Sequence, residues 1–339
     1  MNSSMDRIVV IQKAEIKDCI GIRRLIQELA DYEKMPQGPK ICHKTLEKHG
    51  FGERIYYRCL VAVDESAEAG GEGRRLVGYA LYHLNFTWRG RTVYMEDLYV
   101  SPAFRSKGIG TKLWKRLLKD AMDEGACHCI FSVLDWNVPS LDFYKSKGAE
   151  DLTASRGYQT FRIGKHAIQS IAASDMLNRA IDVRQASGDL TSIVAAYREM
   201  ANELGRAHEL QITESELSAG LTSSPAWCDL LLATSATGEL LGFLLYCLSY
   251  STWEGIQLYV KDVYVKPVHR RSKIASSLLR SLMQRGEALG CGRCDMVVAA
   301  GQEAALEFFR HHQAVNLSEA EGWVHMMLER LHMEAVIYS

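Results

Sequence analysis

Apolar positions change period several times along this chain, and the changes come in the same order twice. Ile22, Leu25, Ile26 and Leu29 recur at helical spacing behind Asp18, which is placed to cap a helix. Ile193, Tyr197, Met200 and Leu204 do the same behind Asp189. Apolar runs of strand length follow over residues 59–63, 76–84 and 92–100, and again over 230–233, 240–249 and 256–265. Each set leads into a turn and an amphipathic helix (108–124 and 274–289), then a buried strand (130–134 and 295–299). A short helix (139–146 and 303–311) and a last strand complete each set. The stretch 64–75, rich in Gly, Glu and Ala, predicts a mobile loop.

The repetition extends to the residues themselves. Tyr94-Met95-Glu96-Asp97-Leu98-Tyr99-Val100-Ser101-Pro102 returns as Tyr259-Val260-Lys261-Asp262-Val263-Tyr264-Val265-Lys266-Pro267. Thr87-Trp88-Arg89-Gly90 returns as Thr252-Trp253-Glu254-Gly255, and Ser140 to Tyr144 is matched by Ala305 to Phe309. A long unit of mixed elements repeated in order is a duplicated α/β domain rather than a solenoid. The boundary falls near 165–182, which gives a first domain over 1–168, a linker over 169–181 and a second domain over 182–339.

Composition narrows the class. The 339 residues are 47% hydrophobic and 24% charged with a formal net charge of -1, a soluble balance without the basic excess that nucleic-acid binding requires. No apolar run approaches the ~18 residues of a membrane span, and the start is polar rather than signal-like. Nine cysteines, an odd and scattered set, fit a reducing cytosol and predict a cytoplasmic protein. Cys127/Cys129 and Cys291/Cys294 raise a metal reading, but a structural zinc site wants four spaced ligands, so buried or surface thiols are the expectation and no metal is.

Three features carry candidate chemistry. Arg105-Ser106-Lys107-Gly108-Ile109-Gly110-Thr111 lies between a strand and an amphipathic helix. Glycines there let successive N–H groups converge at a helix N-terminus, a cradle for pyrophosphate; a glycine-rich turn without a ligand is the bland alternative. Glu96 interrupts an apolar strand beside Asp97, where it is either a base or an outward-facing strand residue. Tyr144 is either an acid or a core aromatic; as a phenol of ordinary pKa about 10 it can donate to a thiolate whose conjugate acid lies near 8.5.

Arg-x-x-Gly-x-Gly after such a strand resembles the acyl-CoA pyrophosphate motif of the GNAT superfamily. Glu28 to Lys34, Gly50 to Gly52, Tyr57 to Ala62, Tyr94 to Asp97, Asp135 to Asn137 and Phe143 to Lys145 resemble the spermidine/spermine (diamine) acetyltransferase family. Thr87 to Thr92 and Leu134 to Asn137 look more like its thialysine branch. The resemblance implies tandem acyl-CoA N-acyltransferase domains, each a mixed, mostly antiparallel sheet flanked by helices, with acetyl-CoA as co-substrate and a small amine as acceptor. It implies Glu96 as base, directly or through water, and Tyr144 as acid beside the coenzyme sulfur. The backbone of Leu98, Tyr99 and Val100 would pair with the pantetheine arm, and Asn137 and Ser140 would line it. Tyr32, Glu33, Trp88, Glu96 and Asp97 would meet the acceptor, although Tyr32 and Glu33 also read as a solvated helix end.

The sequence departs from that family in two ways. The first copy has Asn85-Phe86-Thr87-Trp88 and Ser155-Arg156-Gly157-Tyr158 where acids are expected, which disfavours a long polycation. The second copy replaces Glu96 by Lys261, Tyr144 by Phe309, Gly108 by Lys273 and Gly110 by Ala275, and so reads as catalytically silent. It keeps Glu319-Ala320-Glu321-Gly322-Trp323, the acidic motif the first copy lost. Glu321 is therefore expected either to reach the first copy's acceptor site across a pseudo-twofold dimer formed inside one chain, or to be a solvated turn residue. A monomer is compatible with such a dimer, and neither a nucleic acid nor a membrane is an expected partner. Two other readings remain open: a sensor of acyl-CoA or amine, and a protein lysine acetyltransferase.

Overall fold

Among the described residues, fourteen strands are distributed between two seven-stranded sheets, and each sheet takes a strand from the far end of the other repeat. The computed structural model describes residues 8–66, 75–174, 181–186 and 190–339. Residues 1–7, most of the expected mobile loop, Asp189 and the middle of the expected linker lie outside them.

In chain order the strands of the first half are β1 (Val9–Lys13), β2 (Arg58–Asp64), β3 (Leu76–Thr87), β4 (Gly90–Val100), β5 (His128–Leu134), β6 (Glu150–Asp151) and β7 (Tyr158–Gly164). Those of the second are β8 (Asp182–Gln185), β9 (Asp229–Thr234), β10 (Leu240–Ser251), β11 (Gly255–Val265), β12 (Arg293–Ala299), β13 (Val315–Asn316) and β14 (Trp323–Glu329). The sheet orders are β1-β2-β3-β4-β5-β14-β6 and β13-β7-β12-β11-β10-β9-β8. Pairing is antiparallel except between β4 and β5 and between β11 and β12.

The apolar periods explain these elements. β3 and β10 are buried along almost their whole length, because helices cover both faces of the sheet around them. The helix Ile109–Asp123 buries Ile109, Leu113, Trp114, Leu117, Leu118 and Ala121 against the first sheet. Its counterpart Ile274–Ala288 buries Ile274, Leu278, Leu279, Leu282 and Met283 against the second. The helix Cys19–Tyr32 forms where expected, but Asp18 does not cap it. Its carboxylate accepts from the Glu15 amide (2.8 Å) in a capping box around a preceding 3-10 turn, Ile16–Asp18.

The sheets cross the boundary expected between the repeats. β7 pairs with β12 over seven residues, Arg293 to Ala299, and β14 pairs with β5 over Trp323 to Glu329. Helices follow the exchange. Lys165–Ala173, which overlaps the expected linker over 169–173, buries Ala167, Ile168, Ile171 and Ala172 in the second core. Arg330–Tyr338 buries Met333 and Val336 in the first. β5 and β12 offer like edges to last strands of like pattern, so sequence alone cannot say which copy supplies the partner.

The hairpins β3–β4 and β10–β11 cross between the halves in the same way. Phe86 and Trp88 sit in the apolar cluster of the second half with Tyr197 and Phe243, and Tyr250 sits in that of the first with Tyr57 and Tyr79. His83 Nε2 and Ser249 Oγ meet at 2.8 Å between the sheets. Replacing Met333 by Ala, near the end of the chain, should cost about 2–5 kcal/mol, as core truncations to Ala do. Hydrogen exchange should then quicken in β5, of the other repeat, and not in β12; quickening in β12 instead would contradict the exchanged arrangement.

Candidate active site

The site begins with a counting mismatch in β4. Leu81 opposes Asp97 and Tyr82 opposes Met95, so Glu96 is an extra residue with no partner on β3. Such a bulge bends its strand and re-aims side chains. On its other side β4 pairs with β5 only over Val93, Tyr94 and Met95, and from Glu96 onward the two strands part. The wedge between them is a cavity of about 480 Å³. Its walls include the segment Leu98 to Val100, whose polar backbone has no ladder partner on the β5 side.

Each expected element has a place. Arg105, Ser106, Gly108, Ile109, Gly110 and Thr111 line the cavity at the start of the helix Ile109–Asp123. Gly108 has φ 73°, a left-handed conformation that favours glycine, and a side chain there would meet no protein atom within 4 Å. The turn therefore fits a pyrophosphate: backbone amides at a helix N-terminus with no Cβ in the way. Lys107 does not line the cavity; its ammonium lies 3.5 Å from the Ala103 carbonyl. Asn137 and Ser140 line it, and Asn137 Oδ1 accepts from the Tyr32 hydroxyl (3.2 Å). The Arg105 guanidinium lies over the Tyr32 ring at 4.8 Å.

Glu33, Glu96 and Asp97 converge as an acidic cluster. Burial, with Asp97 and Glu96 nearby, pushes the Glu33 carboxyl up to about 8. Burial raises Glu96 to about 7, against the opposing pull of Arg293, whose Nη2 lies 3.3 Å from Glu96 Oε1. Asp97 is also raised by burial, while hydrogen bonds from Tyr79 (2.6 Å) and Thr252 oppose the shift. Tyr144 is 6% exposed and wedged against Phe131, Trp114 and Phe143. Burial pushes its phenol well above the ordinary range, so it stays protonated at neutral pH.

Two expected acceptor residues stand elsewhere. Trp88 is buried in the other half's core with Arg206 over its ring at 4.7 Å; its repeat counterpart Trp253 lines the cavity instead, because the hairpins cross. Glu321 does not line the cavity either. Its carboxylate accepts from Trp323 Nε1 (2.8 Å), and Trp323 forms part of the wall.

The second half supplies residues that the sequence reading did not select: Thr252, Trp253, Arg293, Asp295 and Trp323. Arg162 of the exchanged β7 joins them and binds Asp295 through both oxygens (2.8 and 2.9 Å). Arg293 bridges Glu96 and Asp295. A signal for this group is visible in the sequence, since Arg293 and Asp295 are charges in an otherwise apolar strand whose counterpart carries His128 and Ile130.

The raised carboxyls set a pH dependence of stability. A carboxyl near 8 when folded and near 4.3 when unfolded gives the folded state an extra proton between those values, so stability falls as pH rises through that window. One such group contributes a slope of at most about 1.4 kcal/mol per pH unit. Glu33→Gln should therefore gain stability relative to the wild type between pH 5 and 8.5, measured by urea unfolding. Parallel curves across that range would show that Glu33 does not hold this proton.

A model of the acetyltransferase (GNAT) family matches residues 26–149 and again 196–313. The chain is 44% identical over 165 residues to thialysine N-epsilon-acetyltransferase of Bos taurus, covering 48% of this chain and 97% of that protein. It is 35% identical over 164 residues to spermidine/spermine N(1)-acetyltransferase-like protein 1 of Homo sapiens, covering 48% of this chain and 23% of that one. In fold it is similar to a GCN5-related N-acetyltransferase from Sphaerobacter thermophilus, with a TM-score of 0.54, 17% identity, and coverage of 95% of this chain and 96% of that one. With the family pattern present twice and a strand wedge and glycine turn in the first copy, the chain belongs to the acetyltransferase (GNAT) family and is an N-acetyltransferase.

Proposed function

We propose that the first repeat transfers acetyl from acetyl-CoA to a primary amine of a small cationic acceptor, and that the acceptor is a lysine-like amino acid or a short diamine rather than a long polyamine. The observation that carries this reading is the placing of Glu96 at the bulge where β4 leaves β5, in one cavity with Tyr144 and the Gly108 turn. The pantetheine arm enters the wedge along Leu98 to Val100 as an added strand would, and the turn from Arg105 to Thr111 receives the pyrophosphate.

The chemistry needs a neutral amine, a positioned thioester and a proton for the departing sulfur. The acceptor arrives as an ammonium among Glu33, Glu96 and Asp97. Glu96, held near neutrality, takes a proton from it directly or through one water, where a base is most effective at neutral pH. The free amine attacks the thioester carbon, and the tetrahedral intermediate collapses with cleavage of the C–S bond. Tyr144 gives its proton to the leaving thiolate, the second proton that the nitrogen sheds as the amide forms restores the phenol, and the proton on Glu96 passes to solvent. Holding the two reactants together contributes as well, since effective molarities reach about 10⁵–10⁸ M in well-oriented systems.

Two features favour the shorter acceptor. Acids are missing from the first repeat in the stretch Asn85 to Trp88 and at Arg156, and Arg156 is paired with Glu150. Arg162 and Arg293 line the same cavity as the acidic cluster, which suits a molecule carrying a carboxylate besides its amine. The thialysine enzyme of Bos taurus is named for such an amino acid. In this reading Glu321 acts on the acceptor end through its hydrogen bond to Trp323.

Tyr144→Phe keeps the ring and removes the proton donor. Turnover at saturating acetyl-CoA and thialysine should fall at least tenfold, in line with the about 10²–10⁴-fold that acid–base groups contribute, with coenzyme binding little changed. Unchanged turnover would remove Tyr144 from the role of acid.

A further inference from the structure

Glu96 stands at the end of a hydrogen-bonded chain that leaves the active site, crosses the second half and returns to the first. Arg293 Nη2 donates to Glu96 Oε1 at 3.3 Å. On its other side Arg293 Nε donates to Gln257 Oε1, Gln257 Nε2 donates to Ser249 Oγ (3.0 Å), and Ser249 Oγ meets His83 Nε2 at 2.8 Å. Arg293, Gln257, Ser249 and His83 sit on β12, β11, β10 and β3, and all four are buried. Gln257, Ser249 and His83 do not line the active-site cavity, so they bear on the reaction only through Arg293.

The direction of every link follows from the hydrogens available. A guanidinium only donates, so Gln257 turns its oxygen to Arg293 and its NH₂ to Ser249. Ser249 Oγ, accepting from Gln257, has one hydrogen left, and His83 Nε2 accepts it. That nitrogen is free to accept because burial, with the charges of Lys261 and Arg293 nearby, lowers His83 to about 3 and keeps it neutral. The imidazole proton is then on Nδ1, 3.4 Å from the Leu84 carbonyl, and the ring is stacked on Tyr94 at 5.1 Å. A buried network whose members are all satisfied is rigid.

The fold itself does not require these groups. Arg293, Gln257 and Ser249 occupy places that hold His128, Thr92 and Leu84 in the first repeat, and Leu248 occupies the place of His83 in the second. Leucine thus fills two of the four places in the other copy. At the second wedge, a smaller cavity of about 170 Å³ with Lys261 and Asp262 in its wall, Thr92 Oγ1 instead donates to the His128 carbonyl (2.6 Å).

We propose that Gln257 and Ser249 are positioning residues: they anchor the Arg293 guanidinium at Nε so that its Nη2 stays on Glu96. An anchor is needed because Arg293 has two carboxylates in reach, and its Nε also lies 3.3 Å from Asp295 Oδ2. Burial would raise Asp295, but Arg162 and Arg293 outweigh it and hold that carboxyl below the ordinary range, so Asp295 is ionised at neutral pH. Glu96, which burial raises to about 7, is only partly ionised. An unanchored guanidinium moves to the fuller charge and leaves Glu96. No other group around Glu96 replaces it. Glu33 and Asp97 are acids, Arg162 is taken by both oxygens of Asp295, and burial keeps the phenols of Tyr94, Tyr250 and Tyr259 protonated.

The consequence for turnover rests on Glu96 being the base, and the test separates the two claims. The full chain is labelled for NMR at its glutamate carboxyls, and the Glu96 signal is assigned by its loss in Glu96→Gln. Gln257→Met keeps the side-chain length and removes the acceptor. It should raise the pH of the Glu96 titration by about 0.5 unit or more, since an opposite charge this close holds a carboxyl down by about 1–3 units. Ser249→Ala should move it the same way by less, which keeps the test open if Gln257→Met does not fold. Added to Arg293→Gln, Gln257→Met should move the titration no further, because the anchor has nothing left to hold. The acid limb of kcat/KM for thialysine acetylation should follow the titration. A Glu96 titration that stays in place in both single variants, or an additive move in the double variant, would overturn the proposal and leave the base assignment standing. A titration that moves while the acid limb does not would uphold the positioning role and contradict Glu96 as the base.

Discussion

The parting of β4 from β5 after three residue pairs is the constraint on which the rest of the molecule depends. A parallel pair that continued would satisfy its backbone and leave no cavity. The bulge at Glu96 ends it, turns one carboxylate out of the ladder and leaves polar backbone from Leu98 to Val100 facing a wedge. An extended ligand can satisfy that backbone, so one irregularity supplies both a binding edge and a candidate base. The same irregularity recurs at Lys261, so the repeat has conserved a geometry while changing its charge.

The exchange of β7 and β14 joins the two wedges. Each sheet is completed by a strand of the other repeat, and each cavity is walled by residues from both. The first cavity thereby gains Arg293 and Asp295, and through Arg293 the second half bears on the proton affinity of Glu96. Burial raises that carboxyl and the guanidinium holds the rise near neutrality. The second half thus supplies part of the wall of the proposed site.

Much of the fold was legible, because apolar period and a repeated sequence reinforce each other. The helices at 109 and 274 and the central strands fall where the pattern puts them. Glu96, Tyr144 and the Gly108 turn were legible as types of residue at telling positions, and they line one cavity. What was not legible is which copy a segment serves. Trp88 and Trp253 occupy equivalent places in the repeat, and only the crossing of the hairpins decides that Trp253 faces the wedge of the first half. Asp18 has the residue type of a helix cap, but an adjacent turn competes for its carboxylate. Arg162, Arg293 and Asp295 escaped because their role exists only once β7 lies beside β12.

The claim that both halves build one active site is tested most directly at Arg293. Its removal should leave the Glu96 carboxyl buried without its nearest positive charge, so the base holds its proton to higher pH. The pH profile of kcat/KM for thialysine acetylation by Arg293→Gln should show its acid limb displaced to more alkaline pH than in the wild type, with the alkaline side retained. An acid limb that stays at the wild-type position, in a variant that folds and binds coenzyme A normally, would contradict the account.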